Sequence, residues 1–308
     1  MNADDLFEYT KRMEDKIKKE QEEEREKRKE EIKNRPKMKG EIDPPENIEE
    51  EELNVRWTKV APAMDWRKRL VLLVGSQETG KTHWLNHLFN DIAEQFDYGV
   101  VYCSSPDSAE DYDWIDGSNI WSEWNDFPEE TTFIDPITSK RKKITLMKPG
   151  FYSTMMTILE KQGKTVKENG KENTPNIFMI IDDPMGRINF RTEPIFQVIA
   201  GQLRKFNITM LIVAQYLFYF APWLRNNPHR IAFFQNTEDD LYKAKGMVMG
   251  WPTKKEWAEF ITTMTRKFGG VLYDRATRTY WCFRAPPEKP KFRLKFYQRY
   301  GRLVKEKL

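Results

Sequence analysis

The stretch VLLVGSQETGKTHWL, Val71 to Leu85, sets an apolar run against Gly75, places Gly80 five residues later and follows it at once with Lys81 and Thr82. This is the pattern G-x-x-x-x-G-K-S/T. Its backbone N–H groups wrap phosphates, its lysine reaches the terminal ones, and its hydroxyl ligates Mg²⁺. The candidate nucleotide-binding residues are therefore Gly75, Ser76, Gln77, Glu78, Thr79, Gly80, Lys81 and Thr82, with Thr82 also a metal candidate. Leu70 to Val74 read as a short buried strand, and Thr82 to Phe96 carry apolar residues at helical spacing. Strand, loop and helix thus occur in the order that points a helix N-terminus at the anion. A glycine turn with an incidental lysine is the plain alternative, and the flanking strand and helix speak against it.

Beyond this loop, apolar runs alternate with helical patterns, as a mostly parallel sheet flanked by helices demands. Gly99 to Pro106, Asn176 to Pro184, Ile208 to Tyr216 and His229 to Asn236 read as further strands; Phe151 to Lys164 and Thr192 to Phe206 read as helices. The segment from Asp107 to Pro149 is acidic, then basic, and rich in turn residues, so an irregular excursion is expected there. Phe268 to Phe283 reads as a terminal hairpin turning near Arg275 to Arg278.

The run IIDD, Ile180 to Asp183, ends a strand in adjacent carboxylates. Asp182 at the strand tip can hold the shell of a Mg²⁺ ion, and Asp183, one step further toward the γ-phosphate, can polarise an attacking water. A solvated acidic turn is the bland alternative. A GTPase reading also exists, since Asp183 to Gly186 spells D-x-x-G and Asn236 to Asp239 resembles N-K-x-D without its lysine. Gln215, at the tip of ITMLIVAQY, offers a neutral amide that can bond both a phosphate oxygen and a water, which favours an ATP-driven motor over a small-molecule kinase.

In the order GSQETGKT, VVYCSSP, IIDDPMG and LRKFNITMLIVAQYLFYFAPWLRNN, over about Leu70 to Phe283, the chain resembles the viral DNA-packaging ATPases of poxvirus type. These lie within the FtsK/HerA superfamily of ring-shaped DNA translocases. The resemblance implies a P-loop, RecA/ASCE-like α/β fold, ATP and Mg²⁺ as nucleotide and metal, and double-stranded DNA as partner. It also implies a homo-oligomeric ring, pentamer or hexamer, working with capsid or portal vertex proteins inside the host, at the site of assembly or with the virion. It makes Lys81 and Thr82 the nucleotide and magnesium contacts, Asp182 the metal-shell acid, Asp183 the catalytic carboxylate and Gln215 the sensor. Many members of the wider superfamily place glutamate where Asp183 stands. For an arginine acting on a neighbouring subunit the candidates are Arg225, just after the aromatic FYFAPWL, and Arg204. Should Phe218 to Trp223 pack within their own subunit, Arg204 becomes the better one.

Composition bounds the rest. At 308 residues with 39% hydrophobic content, one large core is expected, and no run approaches the length of a membrane span. Met1 to Thr10 lack a basic-then-apolar leader, and two cysteines, Cys103 and Cys282, suit buried thiols in a reducing compartment. Three histidines without paired spacing argue against structural zinc. Residues Met1 to Glu52 hold 19 acidic and 13 basic side chains, a balance of −6; the chain totals +3, so the remainder carries +9 and suits an anionic partner.

We therefore expect a charged arm and linker over 1–54, an ATPase core over 55–283 and a basic, aromatic tail over 284–308. The tail, with nine basic and two acidic residues, suits either phosphate tracking and base stacking or a helix docked by its aromatic face. The overall expectation is a DNA translocase that loads a viral genome. A cellular or plasmid DNA pump, and a nucleotide-gated assembly protein with little turnover, are the alternatives.

Overall fold

The computed structural model describes residues 34–43, 55–134, 141–184, 186–190, 192–251, 253–297 and 302–307, together with positions 19, 23, 27 and 30. Most of the expected N-terminal arm and linker lies outside the described residues.

In chain order the strands are β1 (Val55–Thr58), β2 (Leu70–Val74), β3 (Tyr98–Cys103), β4 (Ile120–Trp121), β5 (Phe127–Ile134), β6 (Arg141–Lys148) and β7 (Ile177–Asp182). They continue with β8 (Ile208–Ala214), β9 (Arg230–Phe233), β10 (Gly269–Asp274), β11 (Thr279–Arg284), β12 (Phe292–Tyr297) and β13 (Arg302–Lys307). The helices are α1 (Lys81–Ile92), α2 (Phe151–Asn169), α3 (Pro194–Phe206), α4 (Pro222–Arg225), α5 (Glu238–Ala244) and α6 (Lys254–Met264).

A nine-stranded sheet runs in the order β1-β11-β10-β9-β2-β8-β7-β3-β4. From β9 to β4 every neighbour is parallel; β10 alone runs against its neighbours, and β1 lies parallel to β11. The architecture is the expected α/β sheet. Both faces are covered, which is why the strands read as unbroken apolar runs. Leu70, Leu72 and Val74 face a core closed by α2, α3 and α6 through Met155, Phe196, Leu203, Trp257 and Ile261. Val71 and Leu73 face the other side, where α1 lays down Trp84, Leu85, Leu88 and Phe89. Among the described residues no helix is long and apolar enough to cross a membrane.

Two expectations require correction. The excursion between Asp107 and Pro149 is not irregular throughout: it supplies edge strand β4 and a separate antiparallel hairpin, β5 with β6, paired from Phe127↔Lys148 to Ile134↔Arg141. Its charge pattern hid this, because both faces meet solvent and no buried face imposes an apolar alternation; Leu146 and Met147 are exposed. The hairpin at Phe268 to Phe283 does turn at Arg275 to Arg278, within the main sheet between β9 and β1, but it is not terminal, because β12 and β13 follow it.

The C-terminal segment is strand rather than helix: β12 pairs with β13. Phe292 and Leu294 are buried; the Phe292 ring stacks on Trp114 at 5.3 Å between centroids, and Leu294 N–H donates to the Trp114 carbonyl at 2.6 Å. Phe292 thus belongs to the core and is not available to stack on bases. Cys103 and Cys282 are buried free thiols, and burial pushes Cys103 up to about 12.

Candidate functional site

The loop after β2 is shaped by close approach. A Cβ at Gly75 would stand 2.6 Å from Phe234 Cβ and 3.2 Å from the Gln235 carbonyl, and Ser76 N–H donates to that same carbonyl at 2.9 Å. Only glycine lets the loop start this near β9. Gly80, at φ 90°, turns the chain into α1 from the left-handed region. Thr79 Oγ1 donates to the Ser76 carbonyl at 2.9 Å and ties the loop across itself; Gln77 and Glu78 are exposed on its rim. Lys81 Nζ lies within the loop, donating to the carbonyls of Gly75 at 2.6 Å and Ser76 at 2.5 Å. Burial lowers its pKa, and the charges of Asp182 and Asp183 work the other way.

The sheet order brings the other candidates to this loop. Since β8 stands between β2 and β7, with all three parallel, Gly75, Gln215 and the two aspartates leave the same edge of the sheet. Asp182 Oδ2 lies 3.4 Å from Thr82 Oγ1, longer than a good hydroxyl hydrogen bond. Gln215 Nε2 donates to Asp183 Oδ2 at 3.1 Å. Asp183 adopts φ 42°, a strained conformation for a residue with a side chain, held by its N–H on the Val213 carbonyl at 3.1 Å. Its Oδ1 is buried with no hydrogen-bond partner among the described residues. Lys81, Thr82, Asp182, Asp183 and Gln215 therefore form one cluster.

The residues fit a magnesium nucleotide. Gly75 opens a cradle that a side chain would fill, the paired oxygens of Thr82 and Asp182 are the hard donors Mg²⁺ prefers, and Asp183 Oδ1 is a buried acceptor left over.

Two supporting residues escape sequence reasoning. Tyr112, fully buried in the excursion, donates its hydroxyl to Asp182 Oδ2 at 2.6 Å. Burial raises the Asp182 pKa to about 6; the Tyr112 hydrogen bond and Lys81 pull it down, while the Asp183 charge adds to the rise. Tyr219 donates its hydroxyl to the Pro184 carbonyl at 2.9 Å and also to that of Ile188, pinning the chain that follows Asp183. A tyrosine in an acidic segment, or in an aromatic run, carries no local mark of such a role.

Among the described residues neither arginine is hydrogen-bonded or ion-paired to the cluster. Arg225 is half-buried, its guanidinium 4.5 Å from the centre of the Phe218 ring. Phe220 and Leu224 are buried, and Phe218, Tyr219 and Trp223 pack against the same core, so the aromatic run serves its own chain. Arg204 is exposed at the end of α3, next to the start of β8 and so at the opposite edge of the sheet from Gly75. The N-K-x-D-like segment is occupied locally: Thr237 caps α5, accepting from Asp240 N–H, and Asp239 pairs with Lys243.

No family profile matches the chain, and no curated protein matches it. Among solved structures, the genome packaging NTPase B204 from Sulfolobus turreted icosahedral virus 2, in complex with AMPPCP, is similar at 14% identity, with 72% of this chain and 100% of that one covered and a TM-score of 0.46. The DNA-packaging ATPase B204 from Sulfolobus turreted icosahedral virus is similar at 13% identity, with 72% and 100% covered and a TM-score of 0.47. The pCW3 conjugation coupling protein TcpA, with ATPγS, is similar at 14% identity, with 71% of this chain and 60% of that one covered and a TM-score of 0.46.

Proposed function

We propose that this protein is an ATP-hydrolysing translocase of double-stranded DNA, working as a homo-oligomeric ring that loads a viral genome into a capsid within the host. The observation that carries the reading is the meeting of Lys81, Thr82, Asp182, Asp183 and Gln215 at one edge of three adjoining parallel strands. The resemblance of the quoted sequence blocks to packaging ATPases, and the +9 balance outside Met1 to Glu52, direct the energy of that site to DNA.

In this reading the loop backbone and Lys81 hold the phosphates, Lys81 exchanging its two carbonyl bonds for phosphate oxygens. Thr82 and Asp182 would hold Mg²⁺, which supplies neutralisation of the charge on the terminal phosphate oxygens. Tyr112 orients Asp182. Asp183 offers the unpartnered Oδ1 to polarise the attacking water, and Gln215 fixes that carboxylate through Oδ2. The arginine that completes the charge is supplied by a neighbouring subunit. With the aromatic run before Arg225 packed at home, exposed Arg204 becomes its better candidate. The core over 55–283, to which Phe292 and Leu294 add, then carries the chemistry, while the arm over 1–54 and exposed basic side chains of 284–308 such as Lys291 and Arg293 are left for DNA, portal or capsid contacts.

The deciding experiment is phosphate release with and without duplex DNA. Stimulation by duplex of any sequence, lost in Asp183→Asn, is the expected result. Turnover indifferent to DNA would refute the translocase, and clear preference for GTP would refute the ATP assignment.

A further inference from the structure

We propose that Phe268 is the platform on which the base of the bound nucleotide stacks, a proposal that rests on the nucleotide reading of the Gly75 to Thr82 loop. An exposed apolar side chain alone is ordinary. Three features set this one apart.

Its backbone is costly. Lys267 and Phe268 adopt φ 53° and 60°, consecutive non-glycine residues in the left-handed region, where a bulky side chain is a genuine outlier. The turn is over-determined from both sides, a condition for such strain to persist. Thr265 ends α6 with its N–H and hydroxyl on the Ile261 carbonyl, at 2.9 and 2.7 Å, and the chain then passes directly into β10, paired on both edges.

Its exposure follows from that backbone. Phe268 is 65% exposed beside the buried Met264, Thr265 and Gly269, so the turn holds the ring out of the core that a phenylalanine would otherwise join.

Its place suits a base. A Cβ at Gly80 would lie 3.5 Å from Phe268 Cδ1, so the ring borders the phosphate loop. Lys81 and the acids mark where the terminal phosphates go, and Asp182, Asp183 and Gln215 leave β7 and β8, on one side of β2. The opposite end of the nucleotide is therefore directed to the other side, where β9 and β10 stand. Because β10 runs against β9, the residue just before it, Phe268, sits at the loop's edge of the sheet. A flat ring there offers stacking to any base.

The test compares binding of Mg-ATP and of inorganic tripolyphosphate by isothermal titration, in the full chain and in Phe268→Ala and Phe268→Tyr. Phe268→Ala should weaken ATP by about 5- to 150-fold, the span that corresponds to about 1–3 kcal/mol for one stacked base, and leave tripolyphosphate unchanged. Phe268→Tyr should restore ATP binding. Because the ring is exposed, the alanine variant should melt as the parent does. Unchanged ATP affinity in Phe268→Ala, or parallel loss of tripolyphosphate, would overturn the platform while leaving the phosphate loop standing. Failure of the parent chain to bind either compound would remove the nucleotide reading and the platform with it.

Discussion

Replacing Asp182 by asparagine should stabilise the metal-free, nucleotide-free protein at neutral pH while destroying its function. Asp182 is 7% exposed, and burial raises its pKa from 3.8 to about 6. A carboxyl whose folded pKa lies above its unfolded one binds more protons when folded, so its contribution falls as pH rises. Below about pH 4 it costs nothing, and above about pH 6 the full cost of a buried charge is present. At about 1.4 kcal/mol per pKa unit the rise amounts to roughly 3 kcal/mol. Asparagine keeps an oxygen to accept from Tyr112 and removes that charge. Urea unfolding in EDTA, run from pH 4 to 8 on both proteins, should give curves that converge at the acid end. They should separate by up to about 3 kcal/mol in favour of Asp182→Asn at pH 8. A difference independent of pH would refute the account, because the cost assigned to Asp182 exists only while its carboxyl is charged.

Four further outcomes are expected. Tyr112→Phe removes the hydrogen bond that lowers the Asp182 pKa, so the acid limb of Mg-ATP binding, followed by titration calorimetry, should move to higher pH; an unmoved limb would deny Tyr112 its orienting part. Lys81→Ala should lose nucleotide binding, whereas Asp183→Asn should bind ATP in a filter assay yet release no phosphate, and normal turnover there would place the base elsewhere. Asp274→Ala, at the edge of the sheet remote from the site, removes the carboxylate paired with buried Arg230 at 2.7 Å and leaves it, among the described residues, only the Asp65 carbonyl, the Trp66 ring and the more distant Asp65 charge. It should cost about 3–5 kcal/mol in urea unfolding, and a loss below about 1 kcal/mol would show the pair to be marginal. Deleting 289–308 would strip Phe292 and Leu294 from the core, so DNA binding by that segment is better tested with Lys291→Ala and Arg293→Ala together, both positions being exposed. The slope of log affinity against log salt should fall by about one for each phosphate no longer neutralised, and an unchanged slope would assign the segment to protein partners.

Much of this molecule is legible in local sequence because its causes are local. The phosphate loop shows in the spacing of Gly75, Gly80, Lys81 and Thr82, and the central strands show as apolar runs because both faces of the sheet are covered. IIDD marks a strand tip without any knowledge of its neighbours. Which tips meet is set by the assembled sheet alone. Gln215 reaches Asp183 because β8 inserts between β2 and β7; Tyr112 reaches Asp182 across 70 residues, and Phe268 reaches Gly80 because β10 reverses against β9. The aromatic run before Arg225 reads alike whether it packs at home or against a neighbour, and only the finished core shows that it packs at home. Spacing along a chain controls contacts within one turn, loop or strand. Contacts between distant segments depend on crossovers and on the packing of both sheet faces, which the whole chain sets together.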